Sequence, residues 1–144
     1  MKRYTCDTSV IIARKLYDFP DNFCFTSVVL SELLSASKDE TERKYYEALM
    51  QEYFDDNDLI IPTFEDWLMA SKVLYWLARK RKKQAGGKSP KLKAGASQRM
   101  AFDALIAVSC KRADVTLITE NWDDFKAIQY YCPVQLSKAS DFFQ

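Results

Sequence analysis

Four acidic side chains occupy positions where chemistry is a better explanation than solubility. Asp7 lies between two short apolar runs, at residues 4–6 and 10–12, where a first strand would end and a first helix begin. Glu32, in SVVLSELLSAS, and Asp103, in RMAFDALIAVSC, each fall on a mostly apolar stripe of a predicted helix. A buried carboxylate without a partner is very costly, so such a group takes up a proton or binds a cation. The fourth acid, Asp123 or Asp124, begins a short helix in TLITENWDDF.

Each of these acids also has a purely structural explanation. Asp7 suits the N-cap of a helix, which is worth about 1 kcal/mol. Asp103 could lie at the start of its helix, and Glu32 could lie on a solvent-exposed helix face. Asp123 and Asp124 could be favoured by the helix dipole, because they lie in the first turn after Asn121. The predicted location of the acids argues against four separate explanations. All four acids follow strand ends or lie early in helices, so all four could reach one crevice.

The elements that must position these acids alternate between strands and helices. Short apolar runs predict strands at residues 3–6, 23–26, 59–61, 115–118 and 134–136. Helical periodicity predicts helices at residues 9–17, 27–37, 41–54, 64–83, 97–111 and 121–128. This alternation indicates a single α/β domain over residues 1–144, with a central, mostly parallel sheet of four to five strands flanked by helices. In such sheets ligands bind beyond the carboxyl ends of the strands, which is where Asp7 would lie.

The absence of histidine narrows the chemistry that these acids could perform. Without histidine, Ser-His-Asp and Cys-His catalysis are excluded, and the four scattered cysteines read as reduced apolar residues. Two like charges about 4 Å apart repel by roughly 4 kcal/mol at an effective dielectric near 20, and a hard divalent cation relieves that repulsion. Oxygen-only ligands favour Mg²⁺ or Mn²⁺ over zinc or copper. The acids therefore predict a metal site.

The charge of the chain is strongly segregated. Ten Lys and Arg residues and no Asp or Glu lie between residues 67 and 102, so the net charge of +1 conceals a basic strip set against an acidic remainder. We predict a basic loop at about residues 79–99 within this strip. The strip could contact nucleic acid, or it could be a helix end and loop that only contact solvent. Trp67, Tyr75 and Trp76 are interpreted as packing residues rather than base-stacking ones. The candidate nucleic-acid contacts are Arg79, Lys80, Arg81, Lys82, Lys83, Lys88, Lys91, Lys93 and Arg99.

The ordered motifs CDTSVII, SVVLSELL, DALIAVSCKR and LITENWDDF resemble those of the PIN domain family, especially its VapC-like toxin ribonucleases. The resemblance covers nearly the whole chain, although the lysine-rich segment before Asp103 is longer than in many compact members. It implies that Asp7, Glu32 and Asp103 are the first three acids of the site. The fourth is Asp124, by its spacing from Asn121 and Phe125, with Asp123 as the alternative. The family's hydroxyl residue after the first acid corresponds to Thr8 or Ser9.

The resemblance also implies an activity, partners and roles. The expected protein is a Mg²⁺- or Mn²⁺-dependent endoribonuclease, the toxin of a toxin-antitoxin pair, with RNA as substrate, an antitoxin protein as partner and a homodimer as assembly. Asp7 and Asp103 would hold one ion, and Glu32 with Asp124 a second ion or metal-bound waters. Thr8 or Ser9 would orient a water or a phosphate oxygen, and Asn121 would steady the fourth carboxylate.

Three other functions compete with this expectation. A PIN-like module could bind RNA or a protein without cleaving, its acids serving as caps and ion pairs. A receiver-type phosphoacceptor needs a lysine at a strand end to meet the phosphoryl group, and neither the strand at residues 59–61 nor that at 115–118 ends in one. Haloacid-dehalogenase chemistry needs a second aspartate two residues after the first, and Ser9 occupies that position. No apolar run could span a membrane and no signal-peptide core follows residues 1–3, so we expect a soluble, cytoplasmic protein.

Overall fold

The structure is a computed structural model that describes residues 2–15, 17–88 and 95–143. Its strands are β1 (Tyr4–Cys6), β2 (Phe25–Thr26), β3 (Leu59–Ile60), β4 (Thr116–Thr119) and β5 (Leu136–Lys138). Its helices are α1 (Thr8–Arg14), α2 (Ser27–Ser35), α3 (Glu40–Asp55), α4 (Phe64–Gln84), α5 (Ala96–Arg112), α6 (Trp122–Gln129) and α7 (Ala139–Phe142). The predicted α/β class is therefore confirmed. None of the helices within the described ranges is both long and apolar enough to cross a membrane.

All pairings between the strands are parallel. β1, β4 and β5 form one ladder in the order β1-β4-β5, and β2 pairs with β3 in a second ladder. The two ladders are joined at Tyr4, whose N–H donates to Asn22 O (3.1 Å) and whose carbonyl accepts from Cys24 N (2.9 Å). The spatial order is thus β3-β2-β1-β4-β5, a parallel five-stranded arrangement as predicted. Parallel strands bring their carboxyl ends to one edge, and β1, β2 and β4 deliver Asp7, α2 and α6 there.

Helix α5 is the centre of the hydrophobic core. Residues 104–110 are all buried, which explains why this stretch is apolar on every side instead of on one stripe. The helix packs against α4, α2 and α6 and against the strands β2 and β4. All four cysteines are buried as free thiols within the described residues, as the sequence predicts. Because Asp103 directly precedes this buried run, its carboxyl group is held at the border between core and cleft.

Several predicted boundaries differ from the observed ones. Helix α1 stops at Arg14 instead of residue 17 because Lys15 takes the left-handed conformation (φ 50°) and closes the last turn on Ile11 O. Strand β5 begins at Leu136 instead of residue 134, and the short helix α7 was not predicted. These ends depend on local backbone geometry, which periodicity does not record.

The predicted basic loop at about 79–99 is helical at both ends. Residues 79–84 continue α4 because Lys, Arg and Gln are good helix formers, and because cations near a helix C-terminus are favoured by its dipole. Residues 96–99 already belong to α5, which Gly95 precedes with a left-handed φ of 78°. Residues 85–88 and 95 belong to neither helix, and residues 89–94 lie outside the described residues.

Asp66 is a structural acid, and its removal should destabilise the fold. It is 2% exposed, forms a reciprocal capping box with Thr63 at the start of α4, and accepts a 2.7 Å hydrogen bond from Arg112 Nε. We expect Asp66→Ala to lower the free energy of unfolding by about 2–3 kcal/mol, because it removes a cap and a charge-assisted bond. Urea unfolding measures this loss. Glu65→Ala, in the same turn but exposed, is the control and should change stability by less than about 0.5 kcal/mol.

Candidate metal centre

A cleft of about 630 Å³ opens at the carboxyl edge of the sheet and contains the predicted acids. Asp7, Glu32, Asp103 and Asp124 all line it, coming from the end of β1, from α2, from α5 and from α6. Asp124, not the neighbouring Asp123, is the acid of α6 that lines the cleft. The other lining residues are Thr8, Ser9, Arg81, Ala96, Arg99, Met100 and Asn121. The structure thus brings together four acids that are far apart in the sequence.

Asp7 is the most rigidly held of the four. It is 2% exposed, and Oδ1 accepts from Ser9 Oγ (2.6 Å) and from Val10 N (3.3 Å). Oδ2 accepts from Thr119 Oγ1 (2.7 Å). The Val10 bond makes Asp7 the N-cap of α1, so the capping explanation is correct as geometry. Capping alone does not account for three donors on one buried carboxylate. Burial raises the pKa of Asp7 although these hydrogen bonds oppose the shift.

Thr119 is the residue of the cleft region that the sequence interpretation missed. Its hydroxyl, at the end of β4, donates to Asp7 and accepts from the backbone N–H of Asn121 (2.8 Å). It therefore joins the first acid to the start of α6, which carries Asp124. The sequence does contain a pattern that predicts this role, because Thr119 is a polar residue at the carboxyl end of a buried strand. Asp7 is a candidate site residue for the same reason.

Glu32 and Asp103 lie on the walls of the cleft. Glu32 is half-buried, not on an exposed face, and accepts from Thr8 Oγ1 (3.2 Å), while burial and the charge of Asp7 raise its pKa. Asp103 is the eighth residue of α5, so the helix-start explanation is wrong. Burial and the negative charges of Asp7, Asp124 and Glu32 raise the pKa of Asp103 to about 7, against the lowering effect of Arg99.

The candidate basic residues divide into two groups. Arg81 and Arg99 line the cleft beside the acids. Arg79, Lys80, Lys82, Lys83 and Lys88 are exposed on the outer side of α4 and just after it. Lys91 and Lys93 lie outside the described residues. Only part of the basic strip is therefore directly at the acidic cleft.

The acids share a cleft without forming a closed cage. In the ranges that the structure describes, no three acidic or thiol side chains converge closely enough to hold one ion together. Asp7 is fixed by its three donors, whereas Asp124 is exposed and Glu32 half-buried. Rotamer changes of these two side chains are the movement that would bring further oxygens towards Asp7 and Asp103.

Removing the Thr119 hydroxyl should destabilise the protein through Asp7. Thr119→Val keeps the shape of the side chain but removes both of its hydrogen bonds, and we expect the free energy of unfolding to fall by about 2 kcal/mol. The pKa of Asp7 should rise further, because a bond that lowers it is lost. Chemical denaturation and carboxyl titration by NMR measure these two effects. Thr116→Val, on the same strand but bonded to the exposed Gln135, is the control and should cost under about 1 kcal/mol.

The parallel sheet, its flanking helices and the cleft at the strand ends define a PIN-like α/β domain. Solved structures with this fold match the chain over nearly its whole length. DNA-bound VapBC from Salmonella typhimurium matches with a TM-score of 0.56 and 14% identity, covering 96% of this chain and 98% of that chain. VapBC-5 from Mycobacterium tuberculosis matches with a TM-score of 0.55 and 21% identity, covering 96% and 100%. VapBC-1 from nontypeable Haemophilus influenzae matches with 0.56 and 19%, covering 94% and 96%.

At these identities the matches establish the fold, which is PIN-like and of the kind found in VapBC complexes. No protein-family model matches the sequence. No curated protein matches it either.

Proposed function

We propose that this protein is a metal-dependent endoribonuclease that hydrolyses RNA phosphodiester bonds at the acidic cleft. The observation that supports this most is the cleft itself, which is lined by four acids from four different parts of the chain, where burial and the charges of the other three raise the pKa of Asp103 to about 7. Mutual repulsion between carboxylates lowers the stability of the folded protein. Acids with a purely structural role would therefore not be expected to cluster in one cleft. A cation-binding role accounts for the cost.

The donor set fits a hard divalent cation. The candidate ligands Asp7, Glu32, Asp103 and Asp124 offer carboxylate oxygens only, which is the preference of Mg²⁺ and Mn²⁺. Asp7 and Asp103 would hold one ion, and Glu32 with Asp124 a second ion or metal-bound waters. The ion would lower the pKa of a bound water and offset charge developing on the phosphate.

The remaining cleft residues have roles that follow from their positions. The donors to Asp7 hold its carboxylate in one orientation, so the Asp7 side chain itself needs no reorganisation when substrate arrives. Arg81 and Arg99 are placed to bind a substrate phosphate at the mouth of the cleft. Asn121, at the N-cap position of α6, lines the cleft near Asp124 and would steady that carboxylate.

The wider context we propose is that of a toxin restrained by an antitoxin. The solved neighbours are VapBC complexes. This chain has a suitable surface, a groove of about 560 Å³ that adjoins the acidic cleft at Glu32 and is lined by Ile61, Pro62, Trp67 and Phe102 among others. A partner segment in that groove would cover Glu32 and restrict access to the site. A homodimer is proposed as the assembly, and light scattering of the purified protein measures it.

Cleavage of total cellular RNA by the purified protein is the primary test. We expect cleavage with Mg²⁺ or Mn²⁺, none with EDTA, and none from Asp7→Asn with either metal. Salt-sensitive RNA binding without cleavage under any condition would support a non-catalytic binding module instead. Equal cleavage by wild type and Asp7→Asn would reject the acidic cleft as the active site.

A further inference from the structure

Aromatic and basic side chains, most of them exposed, lie along the second half of α4 and directly after α6. We call them together the aromatic–basic face, which consists of Tyr75, Trp76, Arg79, Lys80, Tyr130 and Tyr131. Tyr130 is 76% exposed and Tyr75 56% exposed, which is unusual for large rings that serve only packing. Core packing is therefore excluded for Tyr75, as it is for Trp67 and Trp76, which are 56% and 37% exposed.

Cations lie over one side of two exposed rings of this face, which leaves the opposite side of each ring for a base. Lys80 Nζ is 5.1 Å from the centroid of the Tyr130 ring, and the Arg79 guanidinium is 5.2 Å from that of Tyr75. Trp76 and Tyr131 have ring centroids 5.5 Å apart, and Tyr131 makes an edge contact with Tyr130 at 4.9 Å. Tyr131 and Lys80 together restrict the Tyr130 ring, so less side-chain entropy is lost there on binding.

The composition of this face matches one kind of ligand. A single-stranded nucleic acid offers flat bases that stack on aromatic rings and phosphates that pair with Lys and Arg. The charge agrees, because α4 from residue 67 onward carries basic residues and no acid. Tyr, Trp and Arg are also common at protein interfaces, but ten Lys and Arg residues without an acid between residues 67 and 102 favour a polyanion.

Two elements connect the aromatic–basic face to the acidic cleft. On α4, Lys80 contacts Tyr130 while the next residue, Arg81, lines the cleft. On α6, Asn121 and Asp124 lie at the cleft end, and Tyr130 directly follows the last residue of the helix. Eight helical residues span about 12 Å, so the face lies within a few nucleotides of the cleft.

We infer that the aromatic–basic face is a second binding site for the same single-stranded nucleic acid, where bases stack on Tyr130 and Tyr75 and phosphates contact Lys80 and Arg79. This inference rests on the proposed function for the identity of the strand. It adds a site outside the acidic cleft that holds the substrate on one side of the cleaved bond.

Binding without cleavage tests this site separately from the activity. Fluorescence anisotropy with a labelled 12-nucleotide RNA, in EDTA and on an Asp7→Asn background, measures affinity at several salt concentrations. We expect Tyr130→Ala to weaken binding by about 10-fold with an unchanged salt dependence, because stacking carries no charge. Lys80→Ala should weaken binding and reduce the slope of log K against log salt by about 0.7, as for one lost phosphate contact on a single strand. A blunt duplex should be insensitive to Tyr130→Ala.

Matched controls separate the site from general effects. Tyr17→Ala removes another exposed tyrosine, and Lys44→Ala another exposed lysine on a helix, and both should bind the RNA like the parent protein. Unchanged affinity of Tyr130→Ala would overturn the inference, and so would a change of oligomeric state as its sole effect, which would make the face a protein interface. If the protein did not cleave RNA with any metal, the binding measurements in EDTA would still test the aromatic–basic face. The binding site and the proposed nuclease activity can therefore be rejected independently.

Discussion

Asp103→Asn is expected to abolish RNA cleavage and, at pH 8 without metal, to make the protein more stable. Cleavage should fall by about 1000-fold, because an amide cannot replace a carboxylate as a cation ligand or stabilise the charge that the site is built to hold. Stability should rise because burial and three neighbouring acids disfavour the charged form of Asp103. We expect a gain of about 2 kcal/mol, or roughly 5 °C in melting temperature.

The opposite directions of the two effects are what identify a functional acid. A capping or ion-paired acid loses stability when it is neutralised, as we expect for Asp66, whereas a functional acid in a repulsive cluster gains stability. Asp123→Asn is the control, since Asp123 is an exposed acid that directly precedes the cleft residue Asp124 but does not itself line the cleft. It should retain cleavage and a wild-type melting temperature. A destabilised Asp103→Asn protein with full activity would falsify both the electrostatic argument and the site.

The metal-free protein should become less stable as the pH rises from about 5 to 8. Burial and neighbouring charge raise the pKa of Asp103 from an ordinary value of 3.8 to about 7, and raise those of Asp7 and Glu32 in the same direction. Between about pH 4 and pH 7 the folded protein therefore holds a proton that the unfolded chain has released, so its stability falls through this window. Asp103 alone should contribute about 2 kcal/mol to the decline.

Divalent cations should reverse this decline at pH 8. An ion present at about 100 times its dissociation constant adds roughly 2.7 kcal/mol of stability if it binds only the folded state. Thermal unfolding at pH 5 and pH 8, with EDTA or with Mg²⁺, measures both effects. The Asp103→Asn variant should show a flatter pH profile and a smaller response to Mg²⁺. A wild-type protein that is more stable at pH 8 than at pH 5 in EDTA, or that Mg²⁺ leaves unchanged, would contradict the proposed cation site.

The acids were recognisable in the sequence because they interrupt patterns that folding otherwise enforces. Glu32 and Asp103 break apolar stripes, and Asp7 stands where a parallel strand ends, so each could be found from periodicity and topology alone. The α/β alternation and the parallel sheet followed from the same periodicities. Ordinary capping chemistry imitates such a signal, and Asp7 is in fact both a cap and a cleft residue. The pattern could therefore nominate these acids without deciding between the two explanations.

The amino-acid sequence is enough to establish carboxylates without histidine, a segregated basic strip and the order of the elements. Which side chains meet in the cleft depends on how the helices and strands pack. The tertiary structure selected Asp124 over Asp123, added Thr119 as the donor that links Asp7 to α6, and separated Arg81 and Arg99 at the cleft from Arg79 and Lys80 on the outer face. The reason is physical, because neighbouring residues on a helix point about 100° apart. Side-chain contacts across elements depend on packing angles that local periodicity does not contain.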